Sequence, residues 1–378
     1  MTSGKTARIA IIIPGGIGTG RGNIGVPVLE RQVMLLAKEF DVVVLSLFKV
    51  SSDYQPQNFQ IISIPAKGFL FKTWRLFNAF RRLNKNQKFD VIHGFWALPS
   101  GFLAVIIGRF FNVPSVVSVL GGDAISLPKI NYGQLRHFIP RVLVRWTILN
   151  AGTATALTRY LEKNLQTHGI RRQDIRILPW GIDNHQFPYR PCPVKVPVSF
   201  LHIGNLNRVK DQLTLLKAFK LIADQIDCHL NVIGEGPLEH NLREWITTNG
   251  LSDNVTLKRP VDYKDVAAFY QQAMILLHTS LSEGQSEVVT EAMSSGVVVC
   301  GTQVGLMSDL PSCCVAVPTE NPEALGDEVL KLIRDEKRIA SIRRNAQEWT
   351  HSYNIAWTVN ATATMYREQL TQKLTADT

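Results

Sequence analysis

No apolar run in this chain approaches the ~20 residues needed to span a bilayer, which argues against a helical membrane anchor. Cysteine is scarce and its pattern is uninformative. Cys192, Cys228, Cys300, Cys313 and Cys314 are odd in number, form no CxxC pair and have no histidine-partnered metal spacing. They read as reduced, mostly structural thiols of a cytoplasmic protein. The opening Met1-Thr2-Ser3-Gly4-Lys5 leads directly into a strand and lacks a secretory pattern. Acidic residues are few in the first half: residues 1–190 hold 24 Lys and Arg against 9 Asp and Glu, whereas 191–378 hold 17 against 22. The net charge of +10 is therefore concentrated in the first half, which suggests an anionic partner such as a membrane surface. Nucleic acid is the weaker reading, because no recognised binding module accompanies the charge.

What remains is an ordinary globular composition, 45% hydrophobic and 19% charged, in 378 residues, a length that favours two domains. Arg8-Ile9-Ala10-Ile11-Ile12-Ile13 is a continuous apolar run ending in Pro14-Gly15-Gly16, as expected of a central parallel strand. Further strands are expected at 42–46, 59–64, 90–94, 115–119, 153–157 and 175–178, with helices near 70–86, 99–111, 133–149 and 158–168. Such alternation implies a parallel sheet covered on both faces. Residues 188–197 carry four prolines and read as a linker. A second α/β series follows, with strands at 198–203, 230–233, 255–257, 274–278, 297–300 and 314–317. The expected division is 1–190, 191–354, and a C-terminal helix over 355–378 that would pack back on the first domain.

Gly20-Arg21-Gly22-Asn23-Ile24-Gly25 fits the dinucleotide GxGxxG pattern, but the next strand ends in Ser46 where an acid for the ribose is expected. A nicotinamide cofactor is disfavoured. Residues 67–88 form a basic, aromatic-rich amphipathic pattern, with Leu70, Phe71, Trp74, Phe77, Phe80 and Leu83 at three- and four-residue spacing. That pattern suits a helix lying on an anionic membrane and equally a core helix with a solvated basic face.

The chain centres on Ser280–Met293. A short apolar strand, 273–278, precedes it and another, 296–301, follows. The helix between them begins near Ser286, whose hydroxyl could cap it, and directs free N–H groups and positive dipole at the loop. Glu283 on the loop and Glu291 inside the helix are eight residues apart. They could grip hydroxyls along an elongated polyhydroxylated ligand, or be a solvated loop acid and a helix-surface acid.

Together these motifs resemble the retaining glycosyltransferases of the glycogen-synthase-like group, family 4, whose GT-B fold is α/β, with two Rossmann-like parallel-sheet domains facing across a cleft. Glu283 and Glu291 match the family's E-x7-E motif, and Glu291-Ala292-Met293 with Gly296 matches its continuation. Val232-Ile233-Gly234-Glu235-Gly236-Pro237 looks like the strand and GxGP turn, Pro179-Trp180-Gly181-Ile182-Asp183 with Phe187 like the lead into the linker, and Asp90–His93 with Pro99-Ser100-Gly101 like the acceptor-side pattern.

The resemblance implies transfer of a sugar from a nucleotide-diphosphate sugar to a glycan or lipid-linked acceptor with retention of configuration. It implies no separate cofactor and no metal, in keeping with the lack of a DxD triplet. Glu291 would hold the ribose hydroxyls and Glu283 the transferred sugar. The backbone at Gly284, Gln285 and Ser286 would hold the diphosphate, and Lys210 would neutralise it. Gly15 and Gly16 would admit the leaving phosphate and acceptor, and Gly234 lies on the GxGP turn. Two positions depart from the family. Asn205 stands where an arginine is common, with Arg208 the nearest substitute, and Leu120 stands where many members have a histidine, with Asp123 and His93 the nearest polar candidates. The residue readings also leave open an epimerase of the same fold, or a non-catalytic glycan-binding protein at the membrane. Localisation is expected to be cytoplasmic, peripheral on the inner membrane face if the basic half docks there; base, sugar, acceptor and oligomeric state are not specified.

Overall fold

The structure is a computed structural model that describes residues 6–19, 25–193 and 195–376. The GxGxxG stretch at Gly20–Ile24 lies outside the described residues. The chain forms two compact units: one runs to Pro179 and takes in the chain from Ile355 on, the other is Trp180–Asn354.

In the first unit the sheet is entirely parallel. Its strands are β1 (Arg8–Ile13), β2 (Asp41–Ser46), β3 (Gln60–Ser63), β4 (Val91–Phe95), β5 (Ser115–Val119), β6 (Thr153–Ala156) and β7 (Arg176–Ile177), in the order β3-β2-β1-β4-β5-β6-β7. Ile9 through Ile13 are fully buried, so β1 is the central strand its apolar run implies. Each such side chain contributes about 1.5–3 kcal/mol on burial. The segment expected as one helix over 133–149 is a short turn, Gln134–Arg136, followed by a helix at Phe138–Asn150. The helix Ile355–Ala376 belongs to this unit: Thr362 accepts a hydrogen bond from Gln32 Nε2 at 3.0 Å, and fully buried Tyr366 lies edge-on to Phe40.

The second unit repeats the plan with β8 (Val198–Ile203), β9 (Cys228–Ile233), β10 (Val255–Lys258), β11 (Ile275–His278), β12 (Val298–Thr302) and β13 (Val315–Val317), in the order β10-β9-β8-β11-β12-β13. Strand order reverses between β8 and β11, which pair in parallel. In open α/β sheets ligands bind beyond the strand carboxyl ends at such a reversal.

The division falls earlier than the proline-rich stretch. Ile182 and Phe187 are buried with the second core, and Ser294 Oγ donates to the Phe187 carbonyl at 2.6 Å. The bonds that fix 180–187 are made to the second unit, and the prolines come after them.

The basic segment forms one helix, Phe69–Asn86, with its apolar residues split between two environments. Leu76 and Phe80 are buried in the core under β1 and β4, while Leu70 and Trp74 are 83% and 60% exposed. Among the described residues no helix is long and apolar enough to cross a membrane.

Candidate active site

The pairing of β8 with β11 brings two loops together at their carboxyl ends. One leads through the turn Arg208–Lys210 into the helix Gln212–Ala223; the other runs from Thr279 to the helix Glu287–Ser295. Thr279 Oγ1 donates to the carbonyls of Lys210 and Asp211 at 3.1 and 3.0 Å, and Leu281 N–H donates to the Val209 carbonyl at 2.8 Å. Asn207 Oδ1 accepts from the Lys210 N–H at 3.3 Å, and Asp211 caps the following helix through the Thr214 N–H. These five bonds fix where the Lys210 side chain leaves the backbone.

Lys210 Nζ lies 2.5 Å from Glu283 Oε1. The same oxygen accepts from Ser280 Oγ at 2.6 Å and has His278 Nε2 at 3.2 Å. Burial pushes the Glu283 carboxyl upward, but the Lys210 ammonium and then His278 outweigh it and hold the group well below the usual carboxylate range. Glu283 is therefore a fixed anion. Lys210 keeps 20% side-chain exposure, and an ammonium has three N–H donors, so it can turn to an anionic ligand. Gly305 packs against this acid from another loop. Its φ is +54°, and a Cβ there would stand 2.8 Å from Glu283 Cβ.

Glu291 is one of the few buried acids in the chain, 3% exposed. Tyr263 Oη donates to its Oε1 at 3.0 Å and Tyr270 Oη to its Oε2 at 2.7 Å. Burial raises its pKa, and the two phenol hydrogen bonds partly offset this. The solvated-acid reading does not apply to it. Four residues before it and on the same helical face stands half-buried Glu287, pushed up to about 8 by burial and by the charge of Glu291, with Lys210 pulling the other way. At neutral pH Glu283 is a carboxylate beside the Lys210 ammonium, and Glu287 keeps its proton.

Ser286 occupies the helix N-cap, but its hydroxyl makes no capping hydrogen bond. Its φ of +76° places it outside the extended conformation from which a side chain reaches back to the N2 or N3 amide. The Gln285 side chain is engaged within the protein. Its Nε2 donates to the Trp180 carbonyl at 2.6 Å and its Oε1 accepts from the Trp180 N–H at 2.8 Å, so the side chain buttresses the loop. Gly284 is buried. Gly234 serves close approach at the β9 end, where a Cβ would stand 2.0 Å from the Gly204 carbonyl oxygen. Asn205 is exposed and its carbonyl accepts from Gln212 Nε2 at 2.9 Å; Arg208 is exposed on the turn that ends in Lys210.

In the first unit, His93 and Asp123 have structural partners. His93 is buried, with Nδ1 2.7 Å from Tyr366 Oη and Nε2 2.8 Å from Ser118 Oγ, which lies 2.7 Å from Thr155 Oγ1. Burial lowers its pKa to about 3. A neutral imidazole with both nitrogens engaged has none to offer a substrate, so the direct catalytic reading of His93 is not supported. Asp123 accepts from the N–H groups of Ala97 and Gly121 at 2.8 Å and of Leu120 at 3.2 Å, and it organises two loops. Its pKa is raised by burial and drawn back by those amides. Gly15 and Gly16 follow β1. Gly16 has φ +101°, accepts at its carbonyl from the Val26 N–H at 2.7 Å, and lies so close to Gly25 that a Cβ on the latter would stand 2.3 Å away.

Sequence reasoning missed Tyr263, Tyr270, His278, Thr279, Ser280 and Gly305. Thr279 and Ser280 follow β11 directly, a position where ligand-facing residues concentrate. Tyr270 gave no signal, since it looks like any core aromatic. Among the described residues, no group of three or more His, Cys, Asp or Glu side chains is placed to hold a metal ion.

Two parallel α/β units, with paired acids and a lysine at the second unit's strand-order reversal, define the class of GT-B glycosyltransferases. Residues 194–349 match the family Glycosyl transferases group 1, and residues 27–181 match the Glycosyl transferase 4-like domain. The chain belongs to this group 1, family 4-like glycosyltransferase superfamily. An uncharacterized glycosyltransferase of Methanocaldococcus jannaschii is 23% identical over 299 residues, 78% of this chain and 80% of that protein. A D-inositol 3-phosphate glycosyltransferase of Pseudarthrobacter chlorophenolicus is 28% identical over 244 residues, 60% of this chain and only 58% of that protein. In fold, sucrose-phosphate synthase from Thermosynechococcus elongatus superposes with a TM-score of 0.80 at 18% identity, covering 97% of this chain and 100% of that one. Anabaena HepE, solved with UDP, superposes with a TM-score of 0.76 at 15% identity over 96% and 100% of the two chains; it has also been solved with UDP-glucose.

Proposed function

We propose that the chain transfers a glycosyl group from a nucleotide-diphosphate sugar to a hydroxyl of a glycan or lipid-linked acceptor, with retention of configuration and without a metal. The observation that carries this reading is the Lys210–Glu283 pair at the head of the helix that bears Glu291. An ammonium beside a fixed carboxylate suits a ligand with a diphosphate at one end and hydroxyls at the other. The crystal forms of HepE with UDP and UDP-glucose support a nucleotide sugar as donor. We assign the donor to the second unit and the acceptor to the first.

In this reading Glu291 accepts from ribose hydroxyls, with Tyr263 and Tyr270 fixing its two oxygens. Glu283 accepts from a hydroxyl of the transferred sugar. Lys210 turns from Glu283 to the diphosphate, where a preorganised cation stabilises charge that grows as the leaving group departs. The bond from the sugar's anomeric carbon to the diphosphate oxygen breaks. The acceptor oxygen bonds to that carbon on the same face, and its proton passes to the departing diphosphate. No protein nucleophile is required.

Calorimetric titration with UDP, GDP and ADP, followed by a product assay with the matching nucleotide sugar, tests the proposal. At least one nucleotide is expected to bind, Glu291→Ala to weaken that binding, and Lys210→Ala to cut turnover by about 10²–10³. An anomeric product of inverted configuration would refute retention. Nucleotide release with no glycosylated acceptor would favour epimerisation, and full activity after exhaustive metal chelation is required.

A further inference from the structure

In the first sheet the steps β3 to β4, β4 to β5 and β5 to β6 all advance in one direction. Right-handed crossovers therefore put their connecting helices, Phe69–Asn86, Phe102–Phe111 and Phe138–Asn150, on one face of the sheet. Ring contacts link them: Phe77 to Phe110 at 4.9 Å, and Phe102 to both Phe69 and Trp146 at 6.4 and 5.4 Å. Helices that return between parallel strands start at the carboxyl ends of those strands. The beginnings of the first and third helices thus lie toward the same end of the unit.

Those two beginnings carry apolar side chains in solvent. Leu70 and Trp74 are joined by Phe69 and Phe71, with Phe71 stacked on Trp74 at 5.6 Å. On the other helix Phe138 and Ile139 are 77% and 69% exposed. Single exposed apolar residues are commonplace, whereas two clusters of large ones mark an interaction surface. The charged residues of the two segments that carry them share one sign. From Tyr54 to Leu161 the only acids are Asp90 and Asp123. Asp123 is buried among backbone amides, and Asp90, at the opposite end of the sheet just before β4, accepts from the Arg8 N–H at 2.8 Å. Lys67, Lys72 and Arg75 flank the first cluster, and Arg136, Arg141 and Arg145 the second.

We propose that this face docks the chain on an anionic lipid surface, the two apolar helix starts entering the headgroup boundary and the flanking cations meeting lipid phosphates. Exposed aromatics ringed by Lys and Arg are the composition of interfacial anchors. Charge favours lipid over a second copy of the chain, because a self-paired interface would set the cations of these helix starts against one another. The inference stands on this face alone and does not depend on the transfer reaction.

The test is flotation of the full chain with vesicles of phosphatidylcholine and of phosphatidylcholine mixed with phosphatidylglycerol, at low and high salt. The chain is expected to float with the anionic vesicles at low salt and to be released as salt rises. The pair Lys72→Glu and Arg75→Glu is expected to weaken that binding about tenfold or more. The set Leu70→Ser, Phe71→Ser and Trp74→Ser is expected to abolish it with an unchanged unfolding midpoint. Absence of flotation with either vesicle, equal flotation with both, or a wild-type dimer that the serine set converts to monomer would overturn the proposal. Should the serine set unfold early, the charge pair alone decides.

Discussion

Lys210 and Glu283 meet at 2.5 Å although 73 residues separate them, because one follows β8, the other follows β11, and those strands are neighbours at the reversal of sheet order. The pair holds Glu283 as an anion at neutral pH. Its pKa when folded is depressed relative to unfolded, so its contribution to stability is complete above the ordinary glutamate range and is lost as pH falls through the folded value. Glu283→Gln is expected to lower stability by about 1–3 kcal/mol at pH 7, the range for a hydrogen-bonded charge. Urea titrations of both proteins are expected to converge as pH falls below the ordinary range; a gap that stays constant would remove the ion pair from the account.

Tyr270 places its hydroxyl 2.7 Å from Glu291 Oε2 in a fully buried setting. Tyr270→Phe keeps the ring and deletes the donor, which leaves a buried carboxyl oxygen short of a partner. Stability is expected to fall by about 1–3 kcal/mol. If Glu291 holds the ribose, nucleotide affinity is expected to fall about tenfold as well. Tyr263→Phe is expected to do less of both, since Tyr263 is half-buried and its bond is 3.0 Å. Calorimetry on the two variants checks the order.

The strands were legible because parallel strands buried on both faces are unbroken apolar runs, as in Ile9–Ile13 and Ile275–Leu277. Glu283 and Glu291 were legible through their spacing beside a loop and helix, and Lys210 through the resemblance. The rest depended on backbone geometry and on partners distant in sequence. Ser286 has the composition of a cap, but φ +76° directs it elsewhere. The Gln285 side chain has its partner 105 residues earlier in the chain, where the Trp180 backbone takes both ends of its amide. Tyr270 sits at ordinary core spacing, and only the fold shows that its hydroxyl ends at Glu291. Gly305 is one glycine among 26 until its contact with Glu283 Cβ is measured.

His93 is held neutral between Tyr366 and Ser118, with a pKa near 3. The unfolded chain binds a proton at this ring between that value and about 6.5 and the folded chain does not, so stability rises with pH through that window. His202, buried with its Nδ1 2.9 Å from the Leu277 carbonyl and its pKa also lowered to about 3, acts in the same direction. His93→Ala deprives the Tyr366 hydroxyl of its partner, leaves Ser118 to Thr155 alone, and is expected to cost about 2–4 kcal/mol at pH 7. The loss is expected to shrink toward pH 4, because the variant no longer pays the penalty of keeping this ring uncharged. Turnover per folded molecule is expected to be unaltered; a fall of a hundredfold or more would return His93 to the chemistry.

Glu287 separates stability from function by pH. Burial and the charge of Glu291 push its carboxyl up to about 8, so the folded chain keeps a proton there that the unfolded chain releases near pH 4.5. Stability therefore declines as pH rises between those values, and above about 8 the folded chain carries a further anion near Glu291. Glu287→Gln is expected to match the wild type near pH 4 and to exceed it increasingly toward pH 8. Ionised Glu287 also stands close enough to Lys210 to feel its charge, so it would repel an incoming diphosphate. The wild-type KM for the nucleotide sugar is expected to climb above pH 8 while that of Glu287→Gln stays flat, with kcat moving less than KM in both. Parallel KM profiles for the two proteins would mean that Glu287 does not sense the diphosphate, and the donor's anionic end would then have to be placed away from the start of the Glu287–Ser295 helix.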